Sequence, residues 1–162
     1  MLPKTLKNFT VFIDGVGYAG IVEEGTPPKL AMKVEEFQGG GMIGAVDIPM
    51  GSVEKMEFEI TLAEYNPAVM GKFGHNDLPV SFRGAQGADN EAIKVETRAL
   101  LREIDQGGLK AAEKGQLKIA FTASYYKMTV AGADVVEIDM ENMVFKSGGV
   151  DHAAGMKKAL GL

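Results

Sequence analysis

Gly15, Gly17 and Gly20 spell the G-x-G-x-x-G pattern that cradles a pyrophosphate in dinucleotide-binding folds. That chemistry needs a helix starting at the second glycine, because its first N–H groups hold the phosphate oxygens. Glu35 and Glu36 lie near the position of the acidic residue that would bond the ribose. Yet the residues that follow, Ile21-Val22-Glu23-Glu24-Gly25-Thr26-Pro27, read as a strand and a break. Asp14-Gly15 is a hairpin-turn signal, so the three glycines are read as part of a turn.

Carboxylate pairs recur at Glu23-Glu24, Glu35-Glu36 and Glu57 with Glu59. Two carboxylates on one strand face could run general acid–base chemistry. No pocket-forming pattern accompanies Glu57 and Glu59, so they read as a solvated face. The two histidines, His75 and His152, are far apart. In His75-Asn76-Asp77 the neighbours fall on opposite faces of any strand, which disfavours a metal site and suggests a polar loop. His152, at a helix start, suggests surface or interface. Tyr125-Tyr126 could stack on bases, but no cationic groove accompanies them and Tyr125 continues a buried alternation. There is no G-x-S-x-G elbow and no phosphate-binding loop with its Lys. With no Cys, thiol catalysis, disulfides and zinc–thiolate sites are excluded. The expectation is no catalytic site, no cofactor and no bound metal.

The 162 residues fit one domain. Seventeen Lys and Arg against 22 Asp and Glu give a net charge of −5, and no basic run occurs. That balance disfavours tight nucleic-acid binding and an anionic membrane surface. No stretch is apolar enough to span a bilayer, and Met1–Thr10 lacks the apolar segment of a signal peptide.

The elements that would position any function are strands. Met56, Phe58, Ile60 and Leu62 alternate with polar residues, as do Leu117, Ile119, Phe121 and Ala123. Strands are expected near 9–14, 18–24, 29–38, 53–64, 78–84, 91–104, 116–130 and 134–139, with a short one near 142–147. Asn66-Pro67 marks the start of a short helix over 67–73 ending before Gly74. Asp151 would cap a C-terminal helix over 152–160 with Lys157 and Lys158 in its last turn. The Gly-rich stretch 39–48 reads as a mobile hairpin arm. The sum is mostly β: a single antiparallel β-barrel or sandwich over 1–162 with one short flanking helix and a short C-terminal helix. Its long edges suit pairing with copies of itself.

Met1–Gly20 resembles the start of the major tail tube proteins of contractile-tailed phages, the FII family, to which R-type bacteriocin tubes are related. The resemblance is carried by Leu2-Pro3-Lys4-Thr5-Leu6-Lys7-Asn8, then Phe12-Ile13-Asp14-Gly15 and Tyr18-Ala19-Gly20. It continues through Pro27-Pro28-Lys29-Leu30, Lys33, Glu35, Gly40-Gly41-Met42 and Ile48-Pro49-Met50-Gly51, where Pro49 departs from the pattern. Leu100–Asp105, Ser124–Lys127, Glu137–Asp139, Gly149–Met156 and Leu160–Leu162 extend it to nearly the whole chain. The resemblance implies a structural subunit and not an enzyme. It would form hexameric rings stacked into an inner tube, a conduit for DNA ejection or membrane puncture. The implied partners are itself, the tail sheath protein, the tape measure protein and baseplate or terminator proteins. DNA would pass without specific binding, and the chain would insert into no membrane. The implied location is the virion tail, after assembly in host cytoplasm. Stacking candidates are Leu2, Pro3, Leu6, Gly40, Met42, Ile43, Ile48, Leu160 and Leu162, within arms 1–8 and 39–48 and the C-terminus. Lumen-lining candidates are Lys33, Glu35, Glu57 and Glu59, the first two placed on a neighbouring strand. Alternatives are a type VI secretion Hcp-like ring and a small-ligand-binding β-barrel.

Overall fold

In the computed structural model, which describes residues 1–162, twelve strands and two short helices follow one another. They are β1 (Leu6–Ile13), β2 (Val16–Gly17), β3 (Val22–Thr26), β4 (Met32–Phe37), β5 (Val46–Val53), β6 (Met56–Leu62), α1 (Pro67–Met70), β7 (Leu78–Gln86), β8 (Glu91–Asp105), β9 (Leu117–Val130), β10 (Ala133–Asp139), β11 (Val144–Ser147), β12 (Val150–Asp151) and α2 (Ala154–Ala159).

Side-chain alternation drives the main sheet. In β6, Met56, Phe58 and Ile60 are buried while Glu57 and Glu59 between them are exposed. In β9, Leu117, Ile119, Phe121 and Ala123 are buried in turn. The strands run in the order β12-β11-β10-β9-β8-β7-β1-β2, with β6 bridging β9 and β3. Every pair is antiparallel. One edge of β9 is divided between two neighbours: Leu117–Ala123 pair with β6, and Tyr125–Val130 pair with β10. The inward faces of β1 and β6 to β10 meet in one cluster of 20 residues, so the sheet folds over on itself. Phe121 is fully buried and stacks on Phe58 at 4.7 Å, while Phe82 meets Phe58 edge-on at 5.7 Å. Truncating such a ring to Ala costs about 3–5 kcal/mol.

The Asp14-Gly15 turn forms as expected. Both residues have positive φ, 52° and 79°, and they join β1 to β2. A left-handed pair at a two-residue connection is the geometry that matches strand twist. The expected strand 18–24 instead opens with a turn, in which Ile21 and Val22 donate to the Tyr18 carbonyl, and β3 begins only at Val22. The first helix is shorter than 67–73. Asn66 caps it by accepting from Ala68 and Val69 at 3.0 and 3.3 Å.

Five further expectations change. Asp151 is not the cap of α2. It belongs to β12, its carboxylate accepts from the Ala153 N–H at 3.0 Å, and Ala153 is the N-cap with no side-chain bond. Tyr125 does not continue the buried face. Ser124 has no partner on β8, a one-residue bulge, so the alternation shifts and Tyr126 is buried in its place. Residues 46–48 of the supposed arm belong to β5, which pairs only with β4 as a separate two-stranded sheet. Lys33 and Glu35, on β4, are consequently not beside Glu57 and Glu59, since the neighbours of β6 are β3 and β9. At the N-terminus, Leu6–Asn8 are strand and not free arm.

Candidate functional site

The residue types that could do chemistry are dispersed by the fold. Glu57 and Glu59 stand exposed on the outer face of β6, close to Arg102, Lys118, Glu103 and Asp105. Arg102 reaches Glu57 at 3.9 Å and Lys55 reaches it at 3.7 Å. Four carboxylates against three cations, Lys55 included, leave this part of the β6–β9–β8 face slightly acidic. Glu23 pairs with Lys114 and accepts from Gln116. His75 lies in a loop held by strand-like bonds, with its carbonyl accepting from Leu101 N–H. His152 contacts Ser147 Oγ through Nε2 at 2.7 Å and packs on Phe145, ring centres 5.0 Å apart. No local sequence pattern marks this Ser–His contact, because it depends on the β11–β12 turn. A Ser–His pair acts as a nucleophile only when the His is oriented by a third group beside an oxyanion site, and no carboxylate bonds His152. No group of three or more His, Asp or Glu is placed to hold a metal ion.

A polar groove of about 640 Å³ lies on the outer face of β7 to β10, lined by Asp77, Glu96, Arg98, Tyr125, Asp139 and others. Burial first, then the nearby Glu137 carboxylate, raise the Tyr125 phenol above its ordinary value. The phenol is therefore neutral and offers a hydrogen bond rather than a base.

What the structure does concentrate is exposed apolar surface. No residue of β4 or β5 is buried, and Met32, Val34, Phe37, Val46, Ile48 and Met50 are exposed there. At the hairpin tip Ile43 is fully exposed, and Gly40 and Met42 lie beside it. An isolated two-stranded hairpin is marginal in water, so a hairpin this apolar that touches the core only through Val53 at its base is built to meet another surface. The sequence pointed to Gly40, Met42, Ile43 and Ile48 but missed Val34, Phe37, Val46 and Met50. Their only signal was apolar residues on both faces of a short segment. Leu160 and Leu162 are exposed at the C-terminus, and Met156 of the same helix reaches Gly51 at the hairpin base. The hairpin and the C-terminus thus form one group.

The N-terminus forms another. Met1, Leu2 and Leu6 are exposed and Pro3 lies among them. Lys4 pairs with Glu91 at 2.5 Å, Lys7 donates to Asn90 at 2.9 Å, and Gly87 N–H donates to the Thr5 carbonyl at 3.0 Å. These bonds lay residues 4–7 along the β7–β8 turn. The Lys4 ammonium, then Gln86, hold the Glu91 carboxyl below its ordinary value.

Comparison with known proteins gives this surface a context. A family model described as phage tail tube protein FII matches residues 3–161. The tail tube protein of Escherichia phage P2 is 31% identical over 170 aligned positions, covering 99% of each chain. The major tail tube protein of Serratia phage KSP20 is 30% identical, covering 91% of this chain and 90% of its own. Among solved structures, a chain from the sheath–tube complex of an extracellular contractile injection system in its extended state is similar at a TM-score of 0.60 and 11% identity. It covers 78% of this chain and 91% of that one. A chain from the sheath/tube terminator of that system matches with the same TM-score, over 80% and 98%. These last two are likenesses of fold.

Proposed function

Because the chain belongs to the phage tail tube protein FII family, we propose that six copies close into a ring and that rings stack into the inner tube of a contractile tail. The observation that carries the assembly is the β4–β5 hairpin, an apolar element with no buried residue and contacts to the rest of the subunit only at its base. Free strand edges supply a second contact, since β3 pairs only with β6 and keeps its other edge unpaired. An edge of one copy meeting a different surface of the next is a heterologous contact, and it makes a ring when the rotation closes. Each such contact needs to bury about 1,200 Å² or more to be specific.

In this reading the hairpin tip (Gly40, Met42, Ile43), Ile48, Leu160, Leu162 and the N-terminal Leu2, Pro3 and Leu6 make the contacts between copies. Glu57 and Glu59 line the lumen, where like charge keeps DNA from adhering within about 8 Å at physiological salt. Lys33 and Glu35 belong to the hairpin contact rather than to that wall. The tube is a passive, non-enzymatic conduit and contraction is supplied by a sheath. Sheath, tape measure and terminator or baseplate proteins are its partners. Subunits assemble in the host cytoplasm and end in the virion tail.

The test is negative-stain electron microscopy of the purified chain over a concentration series, beside a variant with Gly40–Gly44 replaced by a tight turn. Sixfold rings or hollow filaments are expected from the natural chain. The variant is expected to stay monomeric with an unchanged melting temperature. A natural chain that is strictly monomeric at high concentration refutes the reading, and a variant that assembles normally refutes the role of the tip.

A further inference from the structure

Ten residues of the chain are methionine, and four of them, Met50, Met140, Met143 and Met156, meet in one place. With Val53 and Phe145 they line an apolar groove of about 250 Å³ between the base of the β4–β5 hairpin and the C-terminal helix α2. Apart from Val53 against the core and the buried Ala153, whose N–H donates to Asp151, the two elements that meet there have few other contacts. No residue of α2 is buried and its N-cap supplies no side-chain bond. Six residues are far too few for a helix to persist in water by itself. The hairpin has no buried residue either.

The contact between them is specific. Gly51 has φ +76°, and a Cβ added to it would lie 2.1 Å from the Met156 methyl carbon. The thioether of Met156 is therefore seated against bare backbone. Its residue is 39% exposed, so small solutes in water can reach it.

We propose that Met156 is a redox modification site, where a peroxide oxidises the thioether and so releases α2 from the hairpin base. The sulfur attacks one peroxide oxygen. An S–O bond forms, the O–O bond breaks, and the leaving oxygen takes up a proton as water or alcohol. The sulfur loses two electrons and the peroxide gains them, and methionine sulfoxide reductases can reverse the step. The new oxygen is a strong acceptor. Turned into the groove it lies among mostly apolar side chains, where an unpaired polar group is costly. Turned to water, it withdraws the methyl from Gly51. Either way the anchor is lost. This inference goes beyond the tube reading and does not depend on it.

Full-length chain is treated with hydrogen peroxide, the oxidised methionines are located by peptide mass spectrometry, and amide hydrogen exchange is followed. In the natural chain, oxidation of Met156 is expected to speed exchange at Lys157 and Leu160, and across residues 51–54, by about tenfold or more. Amides around Phe121 stay unchanged. Met156→Gln, which carries a polar group without oxidant, is expected to exchange fast untreated. Met156→Leu keeps the apolar contact and is expected to stay protected under peroxide, whereas Met50→Leu/Met140→Leu/Met143→Leu still responds. Reductase treatment restores slow exchange. The proposal is overturned if Met156 is oxidised with no change in exchange. It is also overturned if treated Met156→Leu opens as far as the natural chain, or if the Phe121 amides open together with α2.

Discussion

Gly51→Ala tests the joint between the hairpin and the C-terminal helix by geometry alone. A side chain at φ +76° costs about 1–2 kcal/mol in backbone strain. The added methyl also lands 2.1 Å from the Met156 methyl, so that side chain must move, an overpacking cost of about 1–3 kcal/mol. Together these come to about 2–5 kcal/mol. No residue of β5 or α2 is among the 20 fully buried core residues, and only Val53 of β5 packs against them, so most of the cost falls locally. The Glu54 N–H, which donates to the Ala31 carbonyl at 2.8 Å across the hairpin base, is the reporter. Its hydrogen exchange should speed by at least about 30-fold, the ratio that 2 kcal/mol produces. The melting temperature should fall by less than the roughly 2–4 °C per kcal/mol expected of a global loss. In a Met156→Ala background the same substitution should cost only the backbone part, giving a coupling of about 1–3 kcal/mol in a double-mutant cycle. A coupling near zero, or a fall in melting temperature with Glu54 still protected, would show that Met156 and Gly51 do not form the joint.

Replacing Glu57 and Glu59 by Lys should leave folding intact, since the exposed pairs of Glu57 with Lys55 and Arg102 are each worth at most about 1 kcal/mol. Assembled particles should then retain DNA, with a salt slope growing by about 0.9 per phosphate contacted; unchanged DNA retention sinks the luminal assignment. Lys4→Met should move the Glu91 carboxyl midpoint, read by NMR, up toward 4.5. A depressed folded value means stability present above the unfolded value of 4.5 and lost as pH falls through the lower folded one, so the variant should flatten the stability–pH curve in that window and nowhere above it.

The fold was most legible where one face of a strand meets the core. Met56 to Leu62 and Leu117 to Ala123 carry period two because burial selects alternate residues. β5 was hidden for the converse reason. Both of its faces are exposed, so no alternation is imposed, and Pro49 and Gly51 argue against a strand in isolation. Tyr125 was assigned to the buried face because a bulge at Ser124 is decided by pairing with β8, not by local composition. The hairpin tip was visible as glycines around Met42 and Ile43. The joint of Gly51 with Met156 was not, since it links residues more than a hundred positions apart through a gap that only the assembled backbone defines.

The divided edge of β9 also orders how the chain comes together in time. Its C-terminal half pairs with β10 across a tight turn, Val130 opposite Ala133, and can zip early. Its N-terminal half waits for β6, with Met56 opposite Ala123 and Leu62 opposite Leu117, partners separated by more than fifty residues. Closing a loop of that length before any contact rewards it is slow, and topologies rich in such pairs fold in about milliseconds to seconds. Until β6 arrives, the buried row from Leu117 to Ala123 has one bare edge. The newly made subunit is then most prone to pair with the wrong strand, and later it needs that same strand-pairing tendency to meet its neighbours.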